Sequence, residues 1–162
     1  YVPEGRGKGA GEGENVGQNI FHRPASSGRY AVVVNVDLHK VGRNDITLEY
    51  DLEGGKSGEL RRKRMASLLR SLIHTFVKPT GAHRNTQNPH VVDFEGAIAT
   101  SVSSIPAPCV SALNADPDYR QEIERIAAAL NSLDGDAETV AIRRFDSLAQ
   151  FAEQMAAIVR EL

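Results

Sequence analysis

Tryptophan is absent from this chain, methionine occurs twice and cysteine once, at Cys109. A single thiol excludes an internal disulfide, so the fold must rest on its own core. It also adds little to His83 and His90, which lie seven apart in a polar loop without the spacing of a zinc site, and no metal ligand set is expected. No apolar run approaches the roughly 20 residues of a membrane span, and no secretory signal is visible. A cytoplasmic protein with no membrane partner is the expectation. Most telling is a missing charge. From Leu60 to Val92 there is no acidic residue at all.

The same stretch carries Arg61, Arg62, Lys63, Arg64, Arg70, Lys78 and Arg84, with His74, His83 and His90 among them. The formal net charge of -2 conceals this, because 12 acidic and 5 basic residues from Asp93 onward offset it. A near-neutral chain with one basic block either presents a face to a polyanion or carries a solvated helix face balanced by its acidic half. Its 162 residues suit one domain with a real core.

Residues 1–28 alternate glycine with small or charged residues, which cannot bury a core and read as a flexible segment. Lys8-Gly9 lacks the Ser or Thr and the helix that a Walker phosphate loop requires. The chain opens at Tyr1 within this stretch, and the expectation is that the natural polypeptide begins upstream. From Arg29 to Leu38 a strand is predicted. Tyr30, Val32, Val34, Val36 and Leu38 share one face, Ala31, Val33, Asn35 and Asp37 the other, and the run is apolar enough for a central strand. Asn35 and Asp37 would then lie at a ligand-facing surface or a solvated sheet end. After a turn at Gly42–Asp45, Ile46, Leu48, Tyr50 and Leu52 alternate as a second strand.

A helix over about Gly58–Val77 follows, with Met65, Leu68, Leu69, Leu72, Ile73 and Phe76 as its buried stripe. Residues 61–64 cannot all point one way, because successive helical residues turn by about 100°. Lys78-Pro79-Thr80-Gly81 stops the helix. Strand-like stretches at Val91–Phe94 and Ala97–Ser103 come next. A helix over Pro117–Leu133 with Asp116 as N-cap, a strand over Thr139–Phe145 and a helix capped by Asp146 complete the order. The domain is expected to be α+β, with a mixed or antiparallel sheet and helices on one face, of which a ferredoxin-like (RRM-like) arrangement is the natural form.

No catalytic constellation stands out. Ser26-Ser27-Gly28 is not a nucleophile elbow. Asp37 and His39 share a strand face beside Lys40 and Arg43, as a solvated strand end does. Cys109 between Pro108 and Val110 reads as a small hydrophobe. No cofactor is expected.

Two motifs carry a resemblance. Arg29-Tyr30-Ala31-Val32-Val33-Val34-Asn35-Val36-Asp37-Leu38 is similar to the strand "Y-A-x-V-N-x-D-L" of CRISPR-associated backbone subunits, the Cas-seven type that includes the DevR autoregulator family. Pro79-Thr80-Gly81-Ala82-His83-Arg84-Asn85-Thr86-Gln87 resembles that family's "P-x-G-x-x-x-N-T/S" loop, and Phe21–Gly28 resembles its lead-in. Order and spacing agree over about residues 20–92, and nothing matches clearly after Ser103. The resemblance implies an RRM-like palm, here over 29–162, with a glycine-rich thumb-like segment at 1–28. It further implies a C-terminal portion of the subunit and an incomplete domain, because the family's first palm strand would lie upstream.

The implied role is a non-catalytic, CRISPR RNA-binding backbone subunit of a type I surveillance complex (Cascade) in antiviral defence. Its partners would be CRISPR RNA, further copies of itself in a helical filament, other Cascade subunits and target nucleic acid. The candidate RNA contacts are Lys78, His83, Arg84, Asn85, Thr86 and Gln87, with charge from Arg62 and Arg64. Phe21 and His22 are candidate stacking groups, although ordinary core is the slightly favoured reading of Phe21. The alternatives are an RRM-like Cas endoribonuclease that processes CRISPR RNA, and a protein-interaction domain without an RNA role.

Overall fold

The computed structural model describes residues 28–52, 54–79, 90–102, 105–113, 118–133, 135 and 138–162. The chain divides into two compact units, Tyr1–Tyr30 and Ala31–Leu162. The architecture below is that of the second; of the first, only Gly28–Tyr30 belong to the described residues.

The second unit runs α1 (Glu59–Val77), β1 (Gly96–Ser101), α2 (Tyr119–Leu133), β2 (Val140–Phe145) and α3 (Leu148–Glu161). The strands form one antiparallel pair, with Gly96 opposite Phe145 and Ser101 opposite Val140. This is an α+β unit, as its order of helical and strand periodicities leads one to expect.

The core lies where α1 and α3 pack against each other and against one face of the pair. Leu69, Phe145, Phe151, Met155 and Ile158 are buried there, and Leu38, Leu72, Ile73, Phe76, Phe94, Ile98, Leu148, Val159 and Leu162 close around them. Four of the five phenylalanines, Phe76, Phe94, Phe145 and Phe151, meet with ring centroids 5.2–5.4 Å apart, mostly tilted or edge-on. Those separations and tilts suit the ring quadrupoles. Glycine is required at 96 because the Phe145 ring crosses it: a Cβ there would collide with the ring at Cζ.

The helix α2 is tied to β2. The Asn131 amide donates to the Val140 carbonyl (2.9 Å), and its carbonyl oxygen accepts from the Val140 N–H (2.8 Å) and the Thr139 hydroxyl (3.1 Å). At the other end of α2, Glu124 grips the Arg144 guanidinium. So α1 and α3 share a face of the pair, while α2 is fastened along β2.

Three predicted strands do not form. Residues 31–37 lie in no helix, ladder or turn and lead into a 3-10 turn at Leu38–Lys40. Leu38 reaches the core, but Val32, Val33 and Val34 are 57, 53 and 50% exposed. A β-branched run makes a strand only when a neighbour supplies its ladder, and none of the described residues does. Residues 46–52 fold into a local turn instead. The Asn44 side chain accepts from the Ile46 and Thr47 N–H groups, the Asn44 N–H donates to the Glu49 carbonyl, and only Arg43 and Tyr50 bridge. Asparagine satisfying its own neighbours outcompetes a ladder here. Residues 91–94 also stay irregular, and Phe94 alone joins the core.

Smaller corrections follow from the same packing. Leu68, assigned to the buried stripe of α1, is exposed. Ser147, not Asp146, caps α3: its hydroxyl accepts from the Gln150 N–H, while the Gln150 side chain accepts from the Asp146 N–H. Asp116 and Pro117 lie outside the described residues.

Candidate nucleic-acid interface

The four consecutive cations at the start of α1 separate once the helix is built. Arg61 turns inward and is 7% exposed. Its guanidinium donates to the carbonyls of Val41 (2.9 Å), Lys56 (2.6 Å) and Leu38 (2.8 Å), and it sits 5.0 Å from the centre of the Tyr50 ring. The planar five-donor fork suits that task, and the charge is withdrawn from any outside partner.

Arg62 and Arg64 are both exposed but lie about 200° apart around the axis. They cannot serve one contact. Arg62 instead meets Lys63, Ala66, Ser67 and Arg70, and together with Val159 and Leu162 from the end of the chain they line an open groove of about 500 Å³. The spacing 62–66–70 and 63–67–70–74 places these side chains on one stripe, which His74 continues toward Lys78. His74 and Lys78 are exposed, and the Lys78 N–H closes the helix on the His74 carbonyl.

The stripe's charge is largely uncompensated. Lys63 pairs with Glu59 at 2.6 Å, and that contact holds the Glu59 carboxyl below its ordinary range. Arg62 and Arg70 form no ion pair among the described residues. Five of the acidic residues that follow pair with other arginines: Arg120 binds Glu95 (3.5 Å), Asp118 (3.2 Å) and Asp146 (2.9 Å), Arg143 binds Glu161 (2.8 Å), and Arg144 binds Glu124. A cationic groove floored by alanine, valine and leucine, with one hydroxyl, suits the phosphates and sugars of a nucleic-acid strand.

Among the residues singled out from sequence, Arg62, Arg64 and Lys78 stand on the described surface. His83, Arg84, Asn85, Thr86, Gln87, Phe21 and His22 lie outside the described residues. Lys63 and Arg70 were named in the basic block but not among the candidate contacts, and Ser67, Val159 and Leu162 were not singled out. The helical spacing of 63, 67 and 70 was readable in the sequence, but the arrival of the α3 end beside it was not. Among the described residues no three His, Cys, Asp or Glu side chains gather as a metal site, and no helix is long and apolar enough to cross a membrane.

Fold and groove define a small α+β protein with one cationic helix face. The family model of the CRISPR-associated negative auto-regulator DevR/Csa2 matches residues 1–124, and the chain belongs to that family. The match runs past Ser103, where the motif resemblance stops, and ends inside α2. The strand β2 and helix α3, which supply Phe145, Phe151, Met155 and Ile158 to the core, lie beyond it. No curated protein and no solved structure matches the chain significantly.

Proposed function

We propose that this protein is a non-catalytic, CRISPR RNA-binding backbone subunit of a type I Cascade complex, working in the cytoplasm in antiviral defence. It would hold RNA irrespective of sequence, beside further copies of itself, other Cascade subunits and target nucleic acid. The observation that carries the reading is the groove of Arg62, Ser67 and Arg70, whose arginines have no described ion-pair partner. Family membership adds the CRISPR context. Guanidinium groups beside a hydroxyl contact phosphates and sugars, and such contacts position a strand without reading its bases. His83, Arg84, Asn85, Thr86 and Gln87, which lie outside the described residues, are proposed as further RNA contacts on the strength of their side-chain donors.

The test is fluorescence anisotropy with single-stranded RNAs of unrelated sequence over a salt series. Arg62→Ala/Arg70→Ala should weaken all of them alike and flatten the slope of log affinity against log salt by about 1.4, at about 0.7 for each phosphate no longer neutralised. Arg64→Ala, on the other side of α1, should change binding less. Unchanged affinity and slope in the double variant would remove the groove from the RNA path, and cleavage of repeat RNA by the protein would favour the endoribonuclease reading.

A further inference from the structure

The groove on α1 holds one hydroxyl, that of Ser67, which is exposed. Further along the helix, the Ser71 and Thr75 hydroxyls donate to the carbonyls of Ser67 (2.9 Å) and Ser71 (2.8 Å). Hydroxyls tied back to their own helix in this way are withdrawn from outside chemistry. The Ser67 hydroxyl makes no bond to a described residue, so its Oγ is free to react.

The cations around it are placed for an anion at that position. Helical side chains lean toward the N-terminus, and residues three and four apart are neighbours. Ser67 therefore leans back over Lys63, and Arg70 leans back over Ser67. Lys63 already holds one anion of the same stripe, Glu59, at 2.6 Å. Arg70 has no ion-pair partner among the described residues, nor has Arg62, which lines the same groove. A neutral hydroxyl leaves those charges unmet. A phosphate on it would bring a charge of about −1.5 to −2 and three strong acceptor oxygens.

The sequence ahead of Ser67 suits the enzyme that would place it there. Arg62, Lys63 and Arg64 stand shortly before the serine, and no carboxylate occurs from Leu60 to Val92. Serine kinases choose their substrates by such charge patterns.

We propose that Ser67 is a phosphoacceptor for an arginine-directed serine kinase, and that its phosphate closes the groove of α1 to nucleic acid. The kinase and ATP are the co-reactants. Ser67 Oγ bonds to the γ-phosphorus, the bond from that phosphorus to the β,γ-bridging oxygen breaks, the hydroxyl proton passes to the base of the kinase, and ADP leaves. The new phosphate engages Lys63 and Arg70 and offsets Arg62, the cations that a strand's own phosphates would otherwise meet. The closure rests on the proposed function; the phosphate site does not.

The folded full chain, incubated with such a kinase and ATP and then digested for mass spectrometry, should carry phosphate on Ser67 and none on Ser71 or Thr75. Arg64→Gln, outside the groove, should cut the incorporation. No phosphate on Ser67, or phosphate spread equally over the three hydroxyls, would overturn the proposal. Phosphoserine placed at 67 during translation yields the product without a kinase. Its phosphorus-31 titration should have a midpoint below the ordinary second value of about 6, and Lys63→Ala/Arg70→Ala should bring it back. An ordinary midpoint would mean that the phosphate faces water and that the cations do not hold it. By fluorescence anisotropy the phosphorylated protein should bind every RNA roughly tenfold or more weakly, with a salt slope flattened by about 1.4, as in Arg62→Ala/Arg70→Ala. Affinity unchanged by the phosphate would overturn the closure. If the unmodified protein binds no RNA, the functional reading and the closure fail together, whereas incorporation and the phosphorus titration still decide the phosphate site.

Discussion

Arg61 is buried while its neighbours Arg62, Lys63 and Arg64 stay in water. Its three carbonyl partners, on Leu38, Val41 and Lys56, all belong to the chain that precedes α1. The side chain therefore fastens residues 38–56 onto the helix. Removing it leaves carbonyls in a partly buried place without a donor. Arg61→Ala should cost about 3 kcal/mol of stability, read as a lower midpoint in urea unfolding. Arg61→Lys should recover little of it, since an ammonium on a flexible stem cannot reach three carbonyls in a fixed fork. Arg62→Ala and Arg64→Ala should stay within about 0.5 kcal/mol of the parent. In the sequence these four cations are alike. Helical geometry separates Arg62 from Arg64, but only the chain that folds over the start of α1 marks Arg61 as the one that turns in.

At the scale of elements, the three helices and both strands were legible because each carries its own pattern. The stripe Met65, Leu69, Leu72, Ile73 and Phe76 repeats at helical spacing, and the apolar positions of β2 are bounded by glycine and aspartate turns. The strands expected at 29–38 and 46–52 failed for one reason: a strand is half of an interaction. Alternation at 46–52 was overruled by the Asn44 side chain, and that at 29–38 meets no partner among the described residues. The tie between α2 and β2 left no trace in the sequence either, because Asn131 looks like any polar residue late in a helix. Its two bonds to the nearly inaccessible Val140 are specific to the fold. Asn131→Ala should cost about 2–3 kcal/mol, and Asn131→Asp, which keeps an acceptor but loses the donor, should also destabilise. Chemical denaturation of both variants checks this. A loss below about 0.5 kcal/mol in Asn131→Ala would mean that water replaces the amide.

Across the whole molecule, Arg120 joins the approach to β1, the start of α2 and the turn into α3 through Glu95, Asp118 and Asp146. Its hydrogen bonds hold the Asp118 carboxyl below the ordinary carboxylate range. The unfolded chain therefore takes up that proton more readily than the folded one. The contribution of the pair is fully present above the ordinary range, and it is lost as pH falls through that range to the lowered value. Thermal midpoints should fall from about pH 5 downward. Arg120→Gln, without the cation, should lower the midpoint at neutral pH and flatten its acid dependence; an unchanged dependence would assign the acid loss to other carboxylates. The sequence by itself determined the α+β composition, the spacing of the helices and the concentration of positive charge ahead of an acidic half, because periodicity and charge are properties of order along the chain. It also carried enough motif to reach the DevR/Csa2 family. Only the tertiary structure decided which cations face outward, that the end of α3 completes the groove beside Arg62 and Arg70, and that Asn131 ties α2 to β2. Those outcomes depend on which distant residues meet, and a local pattern does not encode its partner.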